Sequence, residues 1–251
     1  MLHVITSSIF YYLAAMLYSG ACNCRKIRYN QSMKNLLIKI FICLEAAVYL
    51  AFTAMDIYAL GDSKWLKFAG IALCFAFSAF LSVKGGEKLV TAAIGLAMAA
   101  DVFLLLLDKY YIAGVGLFFI VQILYFLRIY RANGRKGAWL VRLFLFTGSI
   151  ALLLNLGCEF PLVLLVAAYL AFFVCNVMQA SGSENKLFFA GLCVFLCCDI
   201  CVGLHNMPTV LPEWLRRAAD IGMWTFYLPS QVMLALSGKE RDVYKAPDED
   251  E

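Results

Sequence analysis

The chain has 251 residues, of which 63% are hydrophobic and 15% charged, with a formal net charge of +4. A soluble domain carries about 25% charged residues to keep its surface wetted, so this composition excludes a soluble globule. The basic residues sit in loops between apolar runs rather than on one face, which argues against a nucleic-acid partner.

Apolar runs long enough to cross about 30 Å of hydrocarbon recur along the chain. They lie at roughly 2–22, 36–55, 65–83, 89–107, 111–130, 138–156, 160–180, 187–204 and 219–237. The expected fold class is therefore an all-α, polytopic transmembrane helical bundle of about nine spans. The first run has no positive n-region and no small-residue cleavage site, so it is read as a retained span rather than a signal peptide. Charged and turn-forming stretches punctuate the rest: Arg25 to Lys34, Asp56 to Lys64, Lys84 to Lys88, Asp108-Lys109 and Arg131 to Lys136. Gly157 to Pro161, Ser181 to Lys186 and His205 to Arg217 follow. Residues 239–251 (KERDVYKAPDEDE) read as a charged, disordered tail.

Nine spans put the termini on opposite sides, and the positive-inside rule selects the orientation. The loops at 23–35, 84–88, 128–137 and 181–186, with the tail, hold fourteen basic residues, Arg128 among them. The other side holds five: Lys64, Lys67, Lys109, Arg216 and Arg217. Lys39 and Arg142 fall near span ends on the richer side, where snorkelling is expected. The reading is a cell-membrane protein with its N-terminus outside and its C-terminus cytoplasmic.

An ionisable group inside a span costs about 2.5–3.5 kcal/mol on insertion scales, which makes each one a candidate for function. Glu45, Asp101 and Asp199 qualify. Asp101, in AAIGLAMAADVFLLLL, and Asp199, in LFFAGLCVFLCCDICVGL, have no basic neighbour on their own helices. Both fall about two-thirds of the way along spans that run in the same direction, so they are expected at similar depth. Two acids sharing one pocket repel each other, leaving one protonated and one ionised. Glu45 has no sequence partner. Gln122 and Tyr125 share one helix face at i and i+3, and Tyr227 and Gln231 share another at i and i+4. Each of these, and Asn176, also suits plain interhelical hydrogen bonding worth about 1 kcal/mol.

Most of the ten cysteines lie in apolar runs and read as buried free thiols. Cys193, Cys197 and Cys201 form an i+4 stripe, read as small residues that ease helix packing rather than as metal ligands. No P-loop, GxGxxG, H-E-x-x-H or G-x-S-x-G motif is present, and no metal or cofactor is expected.

Taken in order, the features Ala99-Ala100-Asp101-Val102-Phe103-Leu104-Leu105-Leu106, Gly114-x-Gly116-Leu117-Phe118-Phe119 and Gln122-x-x-Tyr125 resemble a known pattern. Gly191-x-x-x-Phe195, Cys198-Asp199 and Phe226-Tyr227-x-x-x-Gln231 continue it. The pattern is similar to that of the YhhN/TMEM86 family of lysoplasmalogenase-like membrane proteins. The resemblance covers about residues 36–237 as an eight-helix membrane domain, with 1–35 as an added span and basic loop and 238–251 as a cytoplasmic tail. It implies hydrolysis of the vinyl ether bond of lysoplasmalogens to a fatty aldehyde and a glycerophospho-head group. It marks Asp101 and Asp199 as catalytic, and the reading adds Gln122, Tyr125, Tyr227 and Gln231 as pocket lining. The implied partners are a lysophospholipid substrate and membrane lipids. The chain departs from the pattern at Ala100, where Gly is usual, at Cys198 for Ser, at Gln122 for His and at Phe226 for Tyr. Gln does not titrate, so a proton-shuttling role at position 122 is lost. The alternative is a non-enzymatic lipid-binding or lipid-transport protein using the same pocket. A proton- or cation-coupled solute carrier ranks last, since no inverted repeat with broken helices is evident.

Overall fold

A computed structural model describes residues 25–132, 137–155, 160–206 and 212–239. The expected first span (2–22) and nearly all of the tail lie outside them. By its contacts the chain divides into two units, Met1–Ala47 and Val48–Glu251. The described part of the first unit is the leading stretch of helix α1 (Arg25–Tyr58), on which Glu45 is buried.

Among its described residues the second unit contains the end of α1 and seven further helices. These are α2 (Lys64–Val83), α3 (Lys88–Asp101), α4 (Tyr111–Ala132), α5 (Trp139–Asn155), α6 (Phe160–Ala180), α7 (Lys186–His205) and α8 (Glu213–Ser237). No strand occurs among the described residues. Among the described residues, six helices are long and apolar enough to cross a membrane: α1 from Asn35, α2, α3 with its extension to Leu106, α4, α6 and α7. This is the architecture of a multi-pass membrane protein; of the nine expected spans, the first lies outside the described residues. Helix α5 has only 17 residues. Helix α8 has 25 but carries Glu213, Arg216, Arg217 and Asp220 in its leading turns.

The boundaries of α8 correct the expectation that residues up to Arg217 form a loop. Pro212 precedes the first turn, where its missing N–H costs nothing, and Glu213 meets the positive end of the helix dipole, so helix begins at Glu213. The opposite adjustment occurs after Asp101, where residues Val102–Leu106 widen into a π-helical turn. Leu107 N–H donates to Val102 O at 2.9 Å, five residues back. Gly114 makes room for that turn: a Cβ there would run into the Leu104 side chain.

Helices α7 and α8 share the most extensive interface. Small residues bring them together, as the cysteine stripe suggested. A Cβ on Gly222 would come within 2.8 Å of Cys201 Sγ, and one on Gly191 within 3.0 Å of Leu234 Cγ. The stripe is not buried throughout, however. Cys197 is exposed, because its face of α7 turns away from the packed interior, and Cys43 on α1 is exposed too.

One end of the bundle is tied together at the last turn of α8. Glu87 N–H donates to Gly238 O at 2.9 Å, and Asn185 Nδ2 donates to Ser237 O at 3.1 Å. Arg128 donates through Nη1 to Ser237 Oγ at 2.9 Å and through Nη2 to Ser237 O at 3.1 Å. The segments at 84–88, 128 and 181–186 thus meet the start of the tail on one face. Arg128 does not lie in a loop: it is in α4, buried, with its guanidinium 4.1 Å from the Phe188 ring centroid. The free carbonyls at the end of α8 draw it inward.

Candidate functional site

Helices α3 and α7 both begin on this tied face, and Asp101 and Asp199 are each the fourteenth residue of their helix, counting from Lys88 and Lys186. Thirteen steps at 1.5 Å place both about 20 Å above the face. The two acids therefore share a height, the placement expected from their positions in the spans. The Cys198 thiol lies within electrostatic reach of both carboxyls.

Each acid is met by a tyrosine from a different helix. Tyr227 Oη donates to Asp101 Oδ2 at 2.8 Å, joining α8 to α3. Tyr169 Oη donates to Asp199 Oδ2, joining α6 to α7. Asp101 is 4% exposed, whereas Asp199 is only part-buried. Aromatic rings fill the space between. Phe195 lies 5.7 Å from Tyr227, 5.9 Å from Phe118 and 5.0 Å from Phe173, centroid to centroid. Such a wall excludes water and strengthens every polar contact inside it.

Tyr227 is thus set beside Asp101 as a first contact. Tyr125, fully buried against Phe188 at 5.6 Å, lies within electrostatic reach of Tyr227. Its hydroxyl has no hydrogen-bond partner among the described residues, and neither amide atom of Gln231 has one. Three unsatisfied polar atoms in an apolar interior are costly, by about 1–3 kcal/mol each, and mark a place where a polar ligand or water belongs. Gln231 follows Tyr227 by one turn on α8. Pro229 between them removes one backbone N–H from the helix ladder.

Gln122 stands on the other side, with Asp199 rather than Asp101. Asn176 Nδ2 donates to Gln122 O at 2.8 Å and to Gln122 Oε1 at 3.1 Å. The Gln122 side chain also reaches the Tyr169 hydroxyl, in a contact too loose for a formed hydrogen bond.

Two residues of the network were not anticipated. Tyr169 gives no charge signal in an apolar span, although it lies seven residues before Asn176 and so on the same helix face. Arg142, expected to snorkel, is instead 3% exposed. Its Nε donates to Gly137 O at 3.0 Å, its Nη1 to Phe172 O at 3.2 Å, and its Nη2 to Asn176 Oδ1 and Gln179 Oε1, both at 3.0 Å. The rings of Phe126 and Phe172 pack on it at 4.4 and 4.5 Å. Four acceptors within reach make the interior a better solvent than the lipid boundary.

Beyond Tyr227, away from the tied end, Trp224 packs against it at 5.3 Å. Lys67 Nζ sits 5.1 Å from the Trp224 centroid and 2.8 Å from Asp56 Oδ2. Ser63 Oγ donates to Asp56 Oδ1 at 2.5 Å. No group of three or more His, Cys, Asp or Glu side chains suited to a metal occurs among the described residues.

The sequence profile of the YhhN family matches residues 63–238, more than two thirds of the chain. Comparison with characterised proteins and with solved structures gives no match.

Proposed function

From the premise that the chain belongs to the YhhN family, we propose that it is a lysoplasmalogenase-like hydrolase working through Asp101 and Asp199. The observation that carries this reading is the pair itself. Two carboxyls from different helices stand at one height, each held by a tyrosine hydroxyl and both within reach of one buried thiol.

A vinyl ether is cleaved by acid. One carboxylic acid gives its proton to the β-carbon, the C=C electron pair forms the new C–H bond, and an oxocarbenium ion remains on the ether side. The second group, as carboxylate, stabilises that cation and takes a proton from the water that adds to it. The resulting hemiacetal collapses: its C–O bond to glycerol breaks, the glycerol oxygen takes up a proton, and a fatty aldehyde and a glycerophospho-head group leave. Water supplies the net H and OH, and the acid is reprotonated. Tyr125, Tyr227, Gln122 and Gln231 line the polar part of the pocket in this reading, and Phe118, Phe173 and Phe195 form its apolar wall. A single-chain amphiphile enters from the bilayer without leaving an apolar environment.

The test is aldehyde release from a lysoplasmalogen by the purified, detergent-solubilised protein. Release that disappears in Asp101→Asn and in Asp199→Asn supports the hydrolase. Binding of the lipid with no aldehyde formed points instead to the lipid-binding or lipid-transport reading.

A further inference from the structure

Two lysines stand one turn apart at the start of α2 and are used differently. Lys64 points to solvent, with 48% of its side chain exposed, and pairs loosely with Asp62 at 3.7 Å. Lys67 has only 12% of its side chain exposed. Its ammonium rests 5.1 Å from the Trp224 ring centroid and 5.9 Å from that of Phe52, two rings that meet edge to face. A lysine this near a span end ordinarily snorkels to water. Asp56 turns it inward, accepting from it at 2.8 Å and held in turn by the Ser63 hydroxyl. Among the described residues Asp56 is the one acceptor on this ammonium, so two of its three N–H donors are left for a further partner.

The ammonium stands over the candidate site. Leu81, whose carbonyl accepts from Gly86 N–H at the tied end, follows Lys67 by fourteen residues. That puts the Lys67 backbone about 21 Å above the tied end, level with Asp101. Helical side chains lean toward the N-terminus of their helix, and in α2 that is the end away from the tie. The charge therefore lies beyond the carboxyl, and the contacts between them are short. Trp224 packs on Tyr227 at 5.3 Å, and Tyr227 Oη donates to Asp101 at 2.8 Å. In a lysoplasmalogen seven bonds separate the β-carbon that takes the proton from the phosphorus, about 9 Å when extended. A lipid that sets its vinyl ether on Asp101, head group away from the tied end, brings its phosphate to Lys67.

Resting on the hydrolase reading above, we propose that Lys67 is the head-group anchor: it binds the substrate's phosphate and makes the site prefer a phosphate-bearing single-chain ether lipid to a neutral one. Asp56 and Trp224 hold the ammonium in place for that role. A charge-assisted hydrogen bond to phosphate strengthens binding by about 10- to 100-fold. The contact is the same in ground and transition states, so it appears in KM rather than in kcat.

The test is calorimetric binding of two unreactive ligands by the full-length protein in a maltoside detergent. One is a saturated O-alkyl lysophosphatidylethanolamine, which has no C=C to protonate; the other is the matching O-alkylglycerol, which lacks the phosphate. Wild type is expected to bind the phosphate-bearing lipid at least about tenfold more tightly. Lys67→Met is expected to lose that preference with its Kd for the O-alkylglycerol unchanged. Lys67→Gln, neutral but polar, behaves as Lys67→Met, and Lys67→Arg keeps most of the preference. A preference that survives in Lys67→Met and Lys67→Gln, its absence in the wild type, or equal weakening of both ligands overturns the anchor.

Turnover separates the anchor from the reading it rests on. With a lysoplasmalogen, Lys67→Met is expected to raise KM by about 10- to 100-fold with kcat within about twofold. Aldehyde release by a wild type that shows no phosphate preference overturns the anchor and leaves the hydrolase in place. A preference that is present in the wild type and lost in Lys67→Met, with no aldehyde released, overturns the hydrolase reading and leaves the anchor standing.

Discussion

Tyr227 and Asp101, 126 residues apart in the chain, meet at 2.8 Å in the interior of the bundle. The contact ties the last helix to the third and fixes the carboxyl in one orientation. Tyr227→Phe keeps the ring, and with it the packing on Phe118 and Trp224, but removes the hydroxyl. The expected outcome is a fall in kcat of about tenfold, a smaller loss than that of Asp101→Asn, because orientation is impaired while the acid remains. Steady-state kinetics on the two variants side by side checks the order.

Removal of the Arg128 guanidinium tests the tied end of the bundle. Arg128→Met leaves the Ser237 hydroxyl and carbonyl without their charged donor. A destabilisation of about 2 kcal/mol follows, typical for a lost hydrogen bond to a charged group. Thermal unfolding in detergent measures it. Asp101 and Asp199 are counted off from this face, so aldehyde release is expected to fall along with stability.

Close approach of α7 and α8 gives a prediction with its own rescue. Gly222→Ala puts a methyl 2.8 Å from Cys201 Sγ and is expected to cost about 1–3 kcal/mol as overpacking. Adding Cys201→Ala removes the obstructing sulfur and recovers most of the loss. If the thiol served another purpose, the double variant would be no better than the single one.

The Asp56–Lys67 pair is the contrasting case. It lies at 2.8 Å with side chains 19% and 12% exposed. Lys67→Met retains the apolar stem against Trp224 and Phe52 and should change stability by no more than about 1 kcal/mol. Unfolding midpoints with and without added salt check this.

Much of the candidate site was legible in the sequence because a charge in an apolar run is conspicuous. Asp101 and Asp199 announce themselves, and equal spacing from their helix starts gives their common height. Tyr227 is found through its i, i+4 relation to Gln231. Tyr169 is not, since a tyrosine in a span reads as an ordinary large apolar residue until its hydroxyl partner is known. Arg142 was misplaced for a related reason. Proximity to a span end suggests a route to water, but three of the four acceptors that hold it inside come from α6, 30 to 37 residues later. The start of α8 escaped because its charges read as loop, although Pro212 and Glu213 are the residues expected at a helix N-terminus. The π-helical turn after Asp101 depends on the close fit of Leu104 over Gly114, a tertiary contact.

The measurement that bears most directly on the central claim is aldehyde release from a lysoplasmalogen by wild-type protein, Asp101→Asn and Asp199→Asn, purified and folded alike. The account predicts release by the wild type and a loss of at least about 100-fold in kcat for each variant. Undiminished release by either variant would contradict it.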